Sequence, residues 1–315
     1  MFRHGARRLD LIPYESGATK TIDLPRDRLI KKINLQFDAT LVLSGGTTSG
    51  TVNEDATAKL ISKIEVLADG VTTLRRFDGQ GLYHRNWLEN GCAAIQSVPA
   101  SGDSGNHTLS LNLDINFDNN IGLKPSDTFL LASAYRTLVL AVTWADPSVM
   151  FSTANDRTKS ISNAFGIRPI IYETTQPSPI LMRFVDYIDK NVSASAAEFP
   201  IDIPIGNRIY QAFIFKSTEA LVLSSAIINY FNLISGDKNI HYANLPDQQV
   251  LNMNKKQFSL ENAKVGFYYL PMMENGRFVS GFSTVDINSA KWNLDVTAGA
   301  ASVIRTYIDY VQKMP

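Results

Sequence analysis

Cysteine is almost missing from this sequence: Cys92 is the only one in 315 residues. That excludes an intramolecular disulfide, and with it the small secreted scaffold stapled by bridges. Cys92 reads as a structural thiol. Histidine is scarce too. The four present, His4, His84, His107 and His241, stand nowhere at metal-ligand spacing, so no histidine-built metal centre is expected. Net charge is absent: Lys+Arg and Asp+Glu both number 30. A chain devoted to wrapping nucleic acid is clearly basic, and this one is balanced. Long apolar runs are lacking as well. The richest, residues 220–234, is broken by Ser and Asn and falls short of the ~20 residues of a membrane-spanning helix. No apolar run follows the basic start MFRHGARRLDLIP. The expectation is a protein made in a cytoplasm and not exported by a cleaved leader.

What is present is ordinary globular material. Hydrophobic residues at 44% and charged residues at 19% exclude disorder. The length suits two cores of about 150 residues, each able to bury roughly two-thirds of its unfolded surface.

An internal repeat divides the chain. Ile22-Asp23-Leu24-Pro25 returns as Ile201-Asp202-Ile203-Pro204, a spacing of 179 residues. Each phrase is followed by an arginine, Arg28 or Arg208, and then an apolar run. Residues 63–90 align with 229–256 at a spacing of 166, so that Gly70 meets Gly236 and Asp78 meets Asn244. In both copies a strand reaches a turn glycine and a second strand follows. Asp78 or Asn244 is then expected to cap a short helix, because such side chains accept a bond from a free first-turn amide. Leu82, Tyr83 and Trp87 in one copy, and Leu245, Val250, Leu251 and Met253 in the other, are expected on one helix face. The Gly/Thr/Ser loop 44–58 accounts for the change in spacing. The last strands, 167–174 and 304–311, also agree. Residues 174–180, TTQPSPI, read as a linker, giving expected domains 1–176 and 177–315.

Strand signals dominate both halves. Ile33, Leu35, Phe37, Ala39, Leu41 and Leu43 alternate with polar residues, as do Leu109, Leu111, Leu113, Ile115 and Phe117. Period two means antiparallel strands with one buried face. Strands are expected near 19–24, 29–43, 61–68, 71–77, 108–117, 128–133, 136–144 and 165–174. The second half gives 181–188, 199–203, 208–216, 222–234, 238–243, 264–270, 278–285, 291–297 and 302–312. About eight strands per half with one short helix make an all-β chain of two tandem eight-stranded jelly-roll sandwiches.

In this organisation the chain resembles the double jelly-roll major capsid proteins of tailless icosahedral viruses, in size the corticovirus-like, membrane-containing bacteriophages. The resemblance implies a structural coat protein of the virion, made in the host cytoplasm and without enzymatic activity or cofactor. It implies a homotrimer with six similar barrels, a near-hexagonal tile. Trimers would pack on one another in a lattice and meet penton or minor capsid proteins. A basic arm, Arg3, Arg7 and Arg8, would face inward onto membrane lipid or packaged genome.

The residues offer little other chemistry. Gly79 and Gly81 form a GxG without the third glycine and βαβ setting of a phosphate loop, and read as turn residues. Residues 114–120, DINFDNN, open like a calcium loop, but its twelfth position is Pro125 where a bidentate Glu is required. Alternation along a strand explains Asp114, Asn116 and Asp118 better. The alternative function is a carbohydrate-active double jelly roll, a lectin or a peptide-N-glycanase-like hydrolase using paired carboxylates.

Overall fold

The computed structural model describes residues 4–90, 94–118, 124–175, 179–236, 239–260, 264–273 and 280–313. Cys92, Arg3 and the linker residues 176–178 lie outside them. The chain divides into two compact units, Met1–Met182 and Arg183–Pro315.

In the first unit the principal strands are β1 (His4–Arg8), β2 (Thr19–Asp23), β3 (Leu29–Ser44), β4 (Ile61–Ala68), β5 (Thr72–Phe77), β6 (Gly105–Asn116), β7 (Leu138–Trp144) and β8 (Gly166–Thr174). Helix α1 (Gly79–Asn90) stands between β5 and β6. One sheet runs β1-β8-β3-β6 and the other β2-β7-β4-β5. The second unit has β9 (Leu181–Val192), β10 (Ala196–Asp202), β11 (Ile209–Glu219), β12 (Ile228–Ser235), β13 (Asn239–Pro246), β14 (Phe267–Pro271), β15 (Ala290–Val296) and β16 (Ser302–Lys313). Helix α2 (Asp247–Gln257) stands between β13 and β14. Its strands follow the orders β9-β16-β11-β14 and β10-β15-β12-β13. Strand for strand, these are the orders of the first unit: a double jelly roll.

The alternation in the sequence builds the first core. β3 and β6 pair antiparallel with Ile33 opposite Ile115, Leu35 opposite Leu113 and Phe37 opposite Leu111. All six side chains are buried, while the residues between them are not. Trp144 closes this core. Its Nε1 donates to the Pro13 carbonyl at 2.9 Å, and its ring meets Tyr14 and Phe37 at 5.2 and 5.5 Å. The second core is aromatic. Phe213, Phe215, Phe231, Tyr268 and Trp292 are all fully buried. Phe215 lies 5.1 Å from Phe231 and 5.2 Å from Trp292, within the range where edge-to-face contact is favourable.

The repeated phrase takes the same position twice. Ile22 pairs with Leu140 on β7, and Ile201 pairs with Trp292 on β15. The next apolar residue then closes the strand in each unit: Leu24 N–H donates to the Leu138 carbonyl at 2.8 Å, Ile203 N–H to that of Ala290 at 2.9 Å. Gly70 and Gly236 both sit between hairpin strands, with φ of 75° and 52° that favour glycine.

Several expectations are corrected. The eighth strand of the first unit is β1, within the basic arm. Residues 128–133 instead hold a two-residue strand, Leu130–Leu131, between 3₁₀ turns that start at Pro125 and Ala132. Asp78 caps α1, accepting the Gly81 amide at 3.2 Å. Asn244 does not cap α2. It takes a φ of 48° within β13 and donates its amide to Asn232, and the helix starts after Pro246. Asparagine tolerates that left-handed conformation, which serves the irregular β12–β13 pairing instead. Gly79 and Gly81 are the first turn of α1 rather than turn residues. A Cβ on Gly79 would fall 2.2 Å from the Ala58 carbonyl oxygen, so glycine lets the one-turn helix Ala56–Lys59 approach.

Candidate functional site

The basic arm is a built element. β1 pairs with β8, placing Arg7 opposite Ile171 and Arg8 opposite Ile170. The Arg7 side chain then enters a closed ion-pair ring. Its Nη2 donates to Asp27 Oδ2 at 2.9 Å and to Glu173 Oε1 at 3.2 Å. Arg28 Nη1 donates to the same Glu173 oxygen at 3.0 Å, and its Nε stands 3.8 Å from Asp27 Oδ2. Glu173 is buried, so two guanidiniums on one carboxylate are in proportion to its desolvation. Arg7 holds the Asp27 carboxyl below its usual range, chiefly through their hydrogen bond. Arg8 lies on the other face of β1, exposed and without a side-chain partner among the described residues. The structure thus separates Arg7, charge-matched within its own unit, from Arg8, which is free. Arg3 lies outside the described residues.

The second unit has the same register with different chemistry. Two residues after Arg28, Ile30 stands opposite Glu173; two after Arg208, Tyr210 stands opposite Tyr310. So each arginine reaches the unit's last strand. Arg28 finds a carboxylate there, whereas Arg208 lies over the Tyr310 ring, 4.7 Å from its centroid. The buried Tyr210 hydroxyl donates to the Pro204 carbonyl of the repeated phrase, and burial pushes its pKa up to about 12.

The two helices share a contact that the residue pattern hid. Asn86 of α1 donates Nδ2 to the Asp114 carbonyl at 2.8 Å and accepts the Asp114 amide at 2.7 Å. Asn254 of α2 does the same with Tyr269, at 2.5 and 2.9 Å. The ungapped spacing of 166 sets Asn86 over Asn252 instead; letting α2 slide by two residues would have found the match.

Around α1 a polar network is buried: Asp55, Gln80, His84 and Arg85. Asp55 Oδ2 accepts from Gln80 Nε2 at 2.5 Å and contacts His84 Nε2 at 3.2 Å, while Lys59 stands 3.8 Å from Oδ1. Burial alone would raise the Asp55 pKa. The hydrogen bond from His84 and its charge, then Lys59 and Gln80, outweigh that and bring it down to about 2. The expectation of an apolar helix face therefore holds for Leu82 but not for the helix as a whole. This network ties the one-turn helix to α1. Asp114, at the head of the stretch 114–120, is a strand residue that pairs with Lys32 at 3.0 Å. Among the described residues no group of three or more His, Cys, Asp or Glu could hold a metal ion.

The long loops of the first unit are tied together by polar contacts. Asp156 accepts the amides of Thr47 and Thr48 at 3.1 and 2.8 Å. Arg157 donates to the Gly45 carbonyl at 2.9 Å and the Gly102 carbonyl at 3.1 Å.

The fold and this duplicated register define a class, the double jelly roll, and solved structures match along the full length. No family model matches the chain, and no curated protein matches it. Its structure is similar to that of the major capsid protein of STIV, Sulfolobus Turreted Icosahedral Virus, with a TM-score of 0.74 and 15% identity over 98% of this chain and 96% of that one. The atomic structure of that virus gives a TM-score of 0.76, also at 15% identity, over 98% of this chain and 90% of that one. The major capsid protein P2 from bacteriophage PM2 matches with a TM-score of 0.67 at 12% identity, over 99% of this chain and 98% of that one.

Proposed function

We propose that the chain is the major capsid protein of an icosahedral virus and acts by self-assembly. The observation that carries this reading is the match of both units, in order and along nearly the whole of each chain, to capsid proteins of such viruses. A coat subunit needs no reaction. It needs two similar barrels per chain, so that a homotrimer offers six near-equivalent sides to its neighbours. The strand-for-strand duplication supplies that requirement. Stable trimer interfaces of this kind bury more than about 2,000 Å². Penton or minor capsid proteins are the expected further partners, and the virion shell the location.

In the same reading the N-terminal arm faces inward. Arg8, with Arg3, contacts an anionic layer of membrane lipid or packaged genome, while Arg7 fixes β1 to its unit. Light scattering on the purified protein at micromolar concentration tests the assembly claim. Trimers, followed by shells in electron micrographs, are expected; a stable monomer overturns it.

A further inference from the structure

The first unit contains a hollow of about 700 Å³ lined by Arg7, Asp23, Pro25, Arg26, Arg136 and Thr137, among others. It is built from the repeated phrase: the end of β2, the turn into β3, and the segment entering β7. Its charges are of both signs: Asp27, which also lines the hollow, holds Arg7, while Asp23, Arg26 and Arg136 do not satisfy one another. Arg7 uses only Nη2, on Asp27 and Glu173. Arg26 uses only Nη1, donating to the Tyr135 carbonyl at 3.0 Å. Among the described residues the Arg136 guanidinium and the Asp23 carboxylate have no side-chain partner at all. Backbone contacts fix the walls. Asp69 Oδ1 accepts the amides of Arg136 and Thr137 at 2.7 and 3.0 Å, and the Leu24 amide donates to Leu138.

Single unpaired surface charges are common and mean little. Here three guanidiniums with unused donors, one of them already held by Asp27, and one free carboxylate line one concave site whose walls are fixed by backbone contacts. Guanidinium forks match phosphate oxygens, and a carboxylate next to them repels a plain anion. The group that satisfies both is a phosphate carrying its own ammonium. We propose that this hollow binds a zwitterionic phosphate of the phosphoethanolamine type, with the phosphate on Arg7, Arg26 and Arg136 and the ammonium on Asp23. The site belongs to the first unit alone and stands whether or not the chain builds a shell.

Calorimetric titration of the full chain with O-phosphoethanolamine, inorganic phosphate and ethanolamine tests it. O-phosphoethanolamine is expected to bind at least tenfold more tightly than either of the other two. Arg136→Ala should weaken it at least tenfold. Asp23→Asn should abolish the preference over inorganic phosphate without weakening phosphate itself. Both positions are exposed, so unchanged circular dichroism and melting temperature separate loss of the site from loss of the fold. Flotation with phosphatidylcholine vesicles, with and without phosphatidylethanolamine, identifies the source. Binding that needs phosphatidylethanolamine and Asp23 supports a lipid headgroup; binding of the soluble compound alone supports a free zwitterion. Equal affinity for phosphate and O-phosphoethanolamine, wild-type affinity in either variant, or tighter binding of a short oligonucleotide would overturn the proposal.

Discussion

The two units have the same strand orders and register, yet differ in what fills them. Around α1 the first unit buries Asp55, Gln80, His84 and Arg85; α2 in the second buries Val250, Leu251 and a single polar residue, Asn254. The arginine after the repeated phrase meets Glu173 in one and the Tyr310 ring in the other. Loops differ as well. The first unit joins β3 to β4 through residues 45–60, with acidic and hydroxyl side chains, while the turn that ends β11 is Ala220-Leu221. The difference teaches what a duplicated fold must keep. Backbone pairing and the contacts that position the helix are shared; core chemistry and loop length are free to diverge.

Three perturbations sharpen that contrast. The largest effect belongs to the aromatic core. Trp292→Ala empties the centre of a five-ring cluster and is expected to cost about 3–5 kcal/mol, read as a lower urea midpoint. A loss below ~1 kcal/mol would mean that the second unit does not rest on its rings. Next come the shared asparagines. Asn86→Ala and Asn254→Ala each take the partner from a backbone amide and carbonyl, part-buried at Asp114 and buried at Tyr269. Each should lose about 1–3 kcal/mol, by similar amounts. A large loss in one and none in the other would break the equivalence of the helices.

The smallest effect is a pH dependence confined to the first unit's network. Although burial opposes it, the contacts with His84, Lys59 and Gln80 bring the Asp55 carboxyl down from the ordinary 3.8 to about 2. A depressed carboxyl stabilises the fold above its unfolded pKa and loses that contribution as pH falls through the folded one. Stability should therefore decline between about pH 4 and pH 2, by roughly 2 kcal/mol from this group. Urea titrations across that range should show a shallower decline in Asp55→Asn. An unchanged acid limb would remove Asp55 from the account.

The sequence made much of the fold legible where one residue's surroundings are repeated along the strand. β3 and β6 alternate cleanly because one face of each meets a core, and period two records this directly. β1 was not legible. HGARR has no apolar alternation, and Arg7 is accommodated only because Asp27 and Glu173 arrive from β8 and the turn before β3. The polar burial around α1 was hidden for the same reason: Asp55, which holds Gln80 and His84, comes from the β3–β4 loop. Asn244 shows the opposite failure. Asparagine can cap a helix, but Asn244 does not do so: it also tolerates positive φ, and here that serves strand geometry. The hollow in the first unit rests on Arg26 and Arg136, which no spacing rule brings together.

The paired asparagine contacts carry one more consequence. β6 and β14 lie toward the rims of their sheets, where a strand presents unpaired amides and carbonyls to any passing chain. Asn86 and Asn254 offer a primary amide with the same donor and acceptor that another strand would bring, and so close one residue of that rim in each unit. The helix thereby occupies the place of a ninth strand without continuing the ladder. In the shell proposed above, this would distinguish ordered packing from runaway strand addition. Neighbours can meet through side chains, but find that stretch of backbone already taken.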